Sequence, residues 1–186
     1  DIGQVLLVRG AFSYTLNRPG DIRLDPTKGG GSVWDVGCYP LSYTRYLLGA
    51  EPEEVSGWQR MSQTGVDDFF VAHARFPGDV YMQFDCGFCA PSRAFMEIIG
   101  TRGSLLVQDP FKPGKSISIR LVQGNDRPKT IKMPRFNLYL GEVEDMADAI
   151  LHNVPPRISL ADSRANVAAI CALYESARTG QPVRLK

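Results

Sequence analysis

Apolar residues change their spacing three times along the chain, and each change predicts a different kind of element. The stretch Gln4-Val-Leu-Leu-Val-Arg-Gly-Ala-Phe-Ser-Tyr14 is apolar-rich and reads as one long strand. A polar run punctuated by Pro and Gly, from Asn17 to Gly31, reads as a loop. Ser32 stands where an N-cap belongs, Val33 to Leu48 is predicted helical, and Gly49 is well placed to stop it. From Glu53 to about Met133 the period falls to two. Val80, Met82, Phe84, Cys86 and Phe88 alternate with Tyr81, Gln83, Asp85, Gly87 and Cys89, while Phe70, Ala72, Ala74 and Phe76 share one parity. Pro77-Gly78-Asp79 joins two such runs as a hairpin, and about seven strands in meander order are predicted. Helical spacing then returns. Val143, Met146, Ala147, Ile150 and Leu151 form an apolar stripe, with Glu142, Glu144, Asp145 and Asp148 on a solvated face. Ser159 and Asp162 resemble a capping box opening a second helix, with Val167, Ile170, Cys171 and Tyr174 on its inner face and Gly180 at its end.

This order predicts an α+β domain: a largely antiparallel open sheet, with all three helices packed on one face. The other face is left uncovered, yet Phe69, Val71 and Tyr81 put apolar residues on the second parity of the strands. An antiparallel sheet facing water should be cleanly polar there, so a homodimer or higher homo-oligomer through the open face is expected.

Composition narrows the function. At 186 residues the chain makes one domain, 1–186, and its 44% hydrophobic and 22% charged residues are ordinary for a globular protein. A net charge of +1 gives no field for phosphate backbones, so nucleic acid is not an expected partner. No apolar run nears the roughly 18–20 residues of a membrane span, and no basic-then-apolar leader is seen. The four cysteines make no disulfide framework, which suggests reduced thiols and a cytoplasmic location. Two histidines and one close cysteine pair are too few for a metal site. The chain starts at Asp1 without a methionine, as an excised piece would.

Candidate chemistry concentrates in Gly29-Gly-Gly-Ser-Val-Trp-Asp-Val-Gly-Cys-Tyr39. Three glycines running into a helix N-terminus suit an anionic or polar ligand. Asp35 and Tyr39, four apart, fall on one helix face, and the first turn favours the ionised Asp35. A flexible loop with a dipole-compensating Asp and a half-buried Tyr has the same spacing. Arg23, in the first loop, and Arg93, after Pro91-Ser92, are candidate ligand-binding cations or simply surface arginines. Cys86-Gly-Phe-Cys89 mimics a redox pair, but strand parity sends the two thiols to opposite faces. Neither G-x-G-x-x-G nor G-x-x-x-x-G-K-[ST] occurs.

Taken together, these residues resemble the C-terminal domain of the glucose–fructose oxidoreductase, inositol dehydrogenase and MocA family. Gly29 to Tyr39 looks like its GGG-x-x-x-D-hydrophobic-G-x-H/Y motif, and Glu97-Ile-Ile-Gly-Thr-Arg-Gly-Ser104 followed by Asp109-Pro-Phe111 looks like its strand-turn. Asn137-Leu-Tyr139 and Glu142 resemble the segment leading to the closing helices. The resemblance implies an oxidoreductase moving hydride between NAD or NADP and a small sugar-type or diol substrate. The cofactor would be held mainly by an N-terminal dinucleotide-binding domain outside this chain, which also supplies a lysine to the site. Tyr39 in place of the family's more frequent His leans toward pyranose or diol substrates. By the same resemblance Tyr39 would move the proton and Asp35 would orient the substrate hydroxyl or that lysine. Arg23, Ser92 and Arg93 would touch substrate, and Gly30 and Gly31 would border the cofactor. A non-catalytic binding or scaffold module that kept the fold but lost the chemistry is the alternative.

Overall fold

The computed structural model describes residues 2–113, 117–134 and 137–185. Among these residues nine strands form one sheet: β1 (Val5–Thr15), β2 (Glu54–Met61), β3 (Asp67–Phe76), β4 (Val80–Gly87), β5 (Cys89–Gly100), β6 (Gly103–Gln108), β7 (Ile117–Gln123), β8 (Lys129–Met133) and β9 (Val183–Arg184). The helices are α1 (Cys38–Leu48), α2 (Leu140–His152) and α3 (Leu160–Thr179). The domain is α+β and mostly antiparallel, as the alternation predicted.

It is not a meander. The strand order β8-β7-β6-β5-β1-β4-β3-β2-β9 puts β1 between β4 and β5, parallel to the first and antiparallel to the second. Only Phe88 separates β4 from β5, so the chain there crosses the C-terminal end of β1, where Leu16 N–H donates to the Phe88 carbonyl at 2.8 Å. Sequence spacing shows strands but not an insertion, because the pairing partner of β1 lies some seventy residues away. The hairpin after β3 is as expected, with Gly78 and Asp79 both at positive φ (75° and 57°), the mirror-image turn that follows strand twist.

The core lies between the sheet and two of the helices. Phe70, Phe76, Met82 and Leu41 are fully buried with Ile170 and Leu173 of α3. α3 buries Ala169, Ile170, Ala172, Leu173 and Ser176, whereas Val167 and Cys171, expected inside, are exposed. The stripe is rotated because small residues let this helix approach closely. A Cβ on Gly57 of β2 would sit 2.6 Å from the Phe70 ring and 3.1 Å from the Leu173 carbonyl, and the Gly57 N–H donates to Ser176 Oγ. The Arg45 guanidinium, 2% exposed, ties α1 to α3 by donating to Glu51 and Asp162 carboxylates at 2.6 and 3.0 Å.

Two helix expectations are corrected. Residues Val33–Gly37 form a π turn before α1 rather than its first α turn. Gly37 abuts Cys86 Sγ and the Phe84 ring, with no room for a Cβ. α2 forms where predicted but buries no residue and is not packed on the sheet.

Candidate active site

The glycine-rich motif is held by a buried carboxylate. Ser32 is buried and does not cap the following turn with its own hydroxyl. Instead Asp67, at the start of β3, accepts from Ser32 Oγ at 2.5 Å and from the Val33 N–H at 3.0 Å. Its other oxygen accepts from the Tyr174 hydroxyl of α3 at 2.6 Å. Asp67 is 2% exposed, and burial pushes its carboxyl above the usual aspartate range against the pull of these donors. The π turn is thus clamped to β3 and α3 at its first residue, a position no local signal marks.

Beyond that clamp, Asp35 and Tyr39 meet at a cleft of about 300 Å³ with Phe12, Tyr14, Arg23, Val36, Ser92 and Lys112. Both Asp35 oxygens are taken: Arg23 Nε donates to Oδ1 and the Tyr14 hydroxyl to Oδ2, each at 2.9 Å. Arg23 also donates to Asp21 at 3.2 Å, so one guanidinium bridges two carboxylates across the cleft wall. Tyr14 is pushed well above the tyrosine range by burial and by the Asp35 carboxylate that it serves. The Tyr39 ring packs edge-on against Phe12 at 5.4 Å and leans on Phe111 at 5.5 Å, while Phe111 stacks on Phe12 at 5.0 Å. That aromatic packing leaves Tyr39 41% exposed. Burial raises its hydroxyl pKa, with the Cys38 thiol and Asp35 acting in the same direction. Tyr39 therefore keeps its proton at neutral pH.

The structure brings Asp35, Tyr39, Arg23 and Ser92 together and leaves Arg93 out. Strand alternation separates Ser92 from its neighbour: Arg93 pairs across from Ser13 and makes an ion pair with Asp85, on the open face of the sheet. Gly30 and Gly31 are fitted to the chain itself. Their N–H groups donate to the Asp25 and Arg23 carbonyls. A Cβ on Gly31, at φ 131°, would strike Asp67 Oδ1 and the Tyr174 hydroxyl. These N–H groups are not available to cradle a phosphate, so this stretch does not fit the diphosphate end of a dinucleotide. The cleft itself presents two cations, two tyrosines and Ser92 to whatever polar ligand enters it. Sequence reasoning gave Tyr14 and Lys112 no site role and named Phe111 only within the strand-turn resemblance. Only the parity of Tyr14, matching Phe12, was there to be read.

The remaining candidates are placed plainly. All four cysteines are thiols, Cys86 buried in β4 and Cys89 exposed in β5. Among the described residues no group of His, Cys, Asp and Glu could hold a metal ion. Among the described residues no helix is long and apolar enough to cross a membrane.

Fold and site together define an α+β domain with one cleft that gathers Asp35, Tyr39, Arg23 and Ser92. Residues 1–106 match the GFO/IDH/MocA C-terminal domain, and the chain belongs to that family. It is 30% identical over 187 residues to D-xylose 1-dehydrogenase (NADP(+)) 2 of Haloferax volcanii, covering 100% of this chain and 58% of that protein. It is also 30% identical over 110 residues to the trans-1,2-dihydrobenzene-1,2-diol dehydrogenase of Bos taurus, covering 59% of this chain and 32% of that one. Its fold matches the aldose-aldose oxidoreductase of Caulobacter crescentus, crystallised with glycerol, at a TM-score of 0.90 and 24% identity, covering 99% of this chain and 56% of that one. The chain spans little more than half the length of the first of these relatives.

Proposed function

We propose that this chain is the substrate-binding part of an NAD(P)-dependent oxidoreductase acting on a carbinol of a sugar-type or diol substrate, with a cytoplasmic location. The observation that carries this is the meeting of Asp35 and Tyr39 at one cleft, in a family whose relatives are named for xylose and dihydrodiol oxidation. A bound nicotinamide supplies or accepts the hydride at the carbon. This chain's residues handle the oxygen and its proton. In the reducing direction Tyr39 donates its proton to the carbonyl oxygen as the carbon is reduced, a role its raised pKa suits. In the oxidising direction it must first lose that proton, which requires a cation beside it, as the lysine expected from the dinucleotide-binding domain would be. Ser92 and Lys112 offer donors to further hydroxyls, and the Phe12 ring, backed by Phe111, offers an apolar face to ring C–H groups.

The test is Tyr39→Phe in the full-length protein. The chemical step should slow about 10²–10⁴-fold with cofactor affinity unchanged, because one hydroxyl is removed from a ring that Phe12 and Phe111 still hold. Near-normal turnover would show Tyr39 to be packing and would favour the scaffold reading.

The open sheet face is proposed as a homodimer surface. Trp58, Val71, Asp85, Ala11 and Phe95 form one cross-strand row there, and Tyr81, Leu7 and Ile99 another. Trp58 and Tyr81 are 58% and 49% exposed in the single chain.

A further inference from the structure

The open sheet face carries a hollow of about 310 Å³ that the proposed reaction does not use. It falls where two cross-strand rows meet: Ser56, His73 and Gln83 in one, Glu54, Arg75 and Tyr81 in the next. Alternation turns these side chains away from those of Ala72, Ala74 and Phe76, which pack into the core. The Asp35–Tyr39 cleft opens among Phe12 and Val36 on the core side, so the sheet itself separates the two sites. The hollow is rich in donors without a taker. Among the described residues, Ser56 Oγ, the His73 ring, the Gln83 amide and the Tyr81 hydroxyl find no hydrogen-bond partner, and neither does the Arg75 guanidinium. Arg75 comes within 3.7 Å of Glu53, too far for a hydrogen bond, and its Nε–H is shut off from water with no acceptor. An N–H left that way is costly, so this side chain gains by turning toward an oxygen. The other charges around the hollow are already matched. Glu54 is held by Arg184 at 3.2 Å, Glu97 by Arg9 at 3.3 Å, and Asp85 by Arg93.

We infer that this hollow is a binding site for a small oxyanion, a carboxylate or a phosphate group, held at the face where a second copy is proposed. The inference is independent of the substrate assigned to the cleft. Arg75 supplies positive charge and a planar pair of N–H groups, an arrangement that suits either anion. Ser56, Tyr81 and Gln83 add neutral donors around it, and His73 a ring N–H. A second copy related by a two-fold axis presents the same face, and Glu54, Asp85 and Glu97 of that face are ion-paired within their own copy. It brings a second Arg75 and, from these rows, no spare carboxylate. Dimerisation therefore gathers cations, and an anion from solution balances them. An anion that binds better to the dimer than to the single copy tightens the dimer by mass action.

The experiment uses the full-length protein and titrates it calorimetrically with sodium phosphate and, separately, with sodium acetate, each against sodium chloride at the same ionic strength. The wild type should take one anion per chain with a Kd of about 1 mM or lower. Binding of phosphate alone or of acetate alone supports the site and tells which oxyanion it takes. Arg75→Gln should weaken binding at least tenfold, the worth of hydrogen bonds to a charged group, while kcat and KM stay within twofold because the sheet shields the cleft. Lys132→Gln, on β8, is the control for overall charge and should leave the anion Kd within twofold. Sedimentation should show a dimer dissociation constant at least tenfold lower in the binding anion than in chloride, and Arg75→Gln should erase that difference. Tyr81→Phe, which keeps the ring and removes one donor, should weaken the anion about threefold and serves if Arg75→Gln does not fold. Heats no larger than those of chloride for both anions would overturn the inference. So would an unchanged affinity in Arg75→Gln, or in Tyr81→Phe where that variant is the one that folds. An equal loss in Lys132→Gln would overturn it too, as would a dimer equally tight in chloride, since a side chain of the second copy would then satisfy Arg75.

Discussion

Removing the Asp67 side chain should unlatch the glycine-rich motif from the fold. Asp67→Ala deprives three donors of their acceptor at once: Ser32 Oγ–H, Val33 N–H and Tyr174 O–H. A buried donor left unsatisfied costs about 1–3 kcal/mol. The three are not equal. Ser32 can turn toward Cys86 Sγ, 3.5 Å away, and Tyr174 is only half-buried, but Val33 is fully buried and its N–H is held by Asp67. The expected loss is therefore about 3–5 kcal/mol, a large part of a typical folding stability of about 5–15 kcal/mol. Asp67→Asn keeps one oxygen for Ser32 and Val33 and turns its amide toward the Tyr174 oxygen, so its loss should stay near 1–2 kcal/mol. Urea unfolding followed by tryptophan fluorescence measures both, with Trp34 packed 6.0 Å from the Tyr174 ring as reporter. The pH dependence separates the carboxylate from its hydrogen bonds. Burial raises the folded-state pKa of Asp67 above the unfolded value of 3.8. Its contribution to stability is therefore full below that value and declines as pH rises through the folded pKa. The asparagine variant lacks this titration, so its deficit relative to the wild type should shrink as pH rises through that window. An alanine variant within about 1 kcal/mol of the wild type would refute the latch.

The sheet-face dimer predicts a mass near twice 20.5 kDa for this chain by light scattering at low micromolar concentration. Tyr81→Glu or Trp58→Glu should shift it toward monomer without unfolding, and a wild-type mass near 20.5 kDa would refute the dimer. An interface burying upwards of about 1,000 Å² is implied. The chain on its own should not bind NAD or NADP at micromolar concentration, since the Gly30 and Gly31 N–H groups are taken up internally; a calorimetric titration showing such binding would contradict this.

What could be read from the sequence was local. The long first strand, the Gly78-Asp79 hairpin and the start of α3 at Ser159 follow from periodicity and cap chemistry within a few residues. α2 was legible as a helix but not in its placement, because an apolar stripe predicts burial and does not say against what. Asp35 and Tyr39 came together because their spacing is a property of the turn itself. Tyr14 and Lys112 reach the same cleft from other elements, and Phe111 packs on its Tyr39, through a β1 insertion that no spacing encodes. Asp67 is the clearest case: one acidic residue opening a strand carries no sign that it caps a turn thirty-four positions earlier. Ser92 and Arg93 show a different failure. They were treated as a pair, although the alternation that predicted the strands already places neighbours on opposite faces.

The saturation of Asp35 changes the role the motif suggests for it and gives a test with a definite sign. With Arg23 on one oxygen and Tyr14 on the other, Asp35 does not orient a substrate hydroxyl without giving up a partner. Its effect on chemistry is better placed in its charge, which helps to raise the Tyr39 pKa. Asp35→Asn should preserve the local geometry: the amide oxygen still accepts from Arg23, and the amide N–H can donate to the Tyr14 oxygen once that hydroxyl turns away. The negative charge is lost, while the Arg23 cation stays beside the cleft. Both changes favour the phenolate, so the Tyr39 pKa should fall. In the reducing direction Tyr39 works protonated, and the rate declines as pH rises through its pKa. The alkaline limb of the kcat profile of the full-length enzyme should therefore move to lower pH in Asp35→Asn, with cofactor affinity unchanged. In the oxidising direction the same variant should gain activity at lower pH than the wild type, since the base forms earlier. A loss of rate that is uniform across pH, with both limbs where the wild type has them, would show that Asp35 acts by position alone and not through Tyr39.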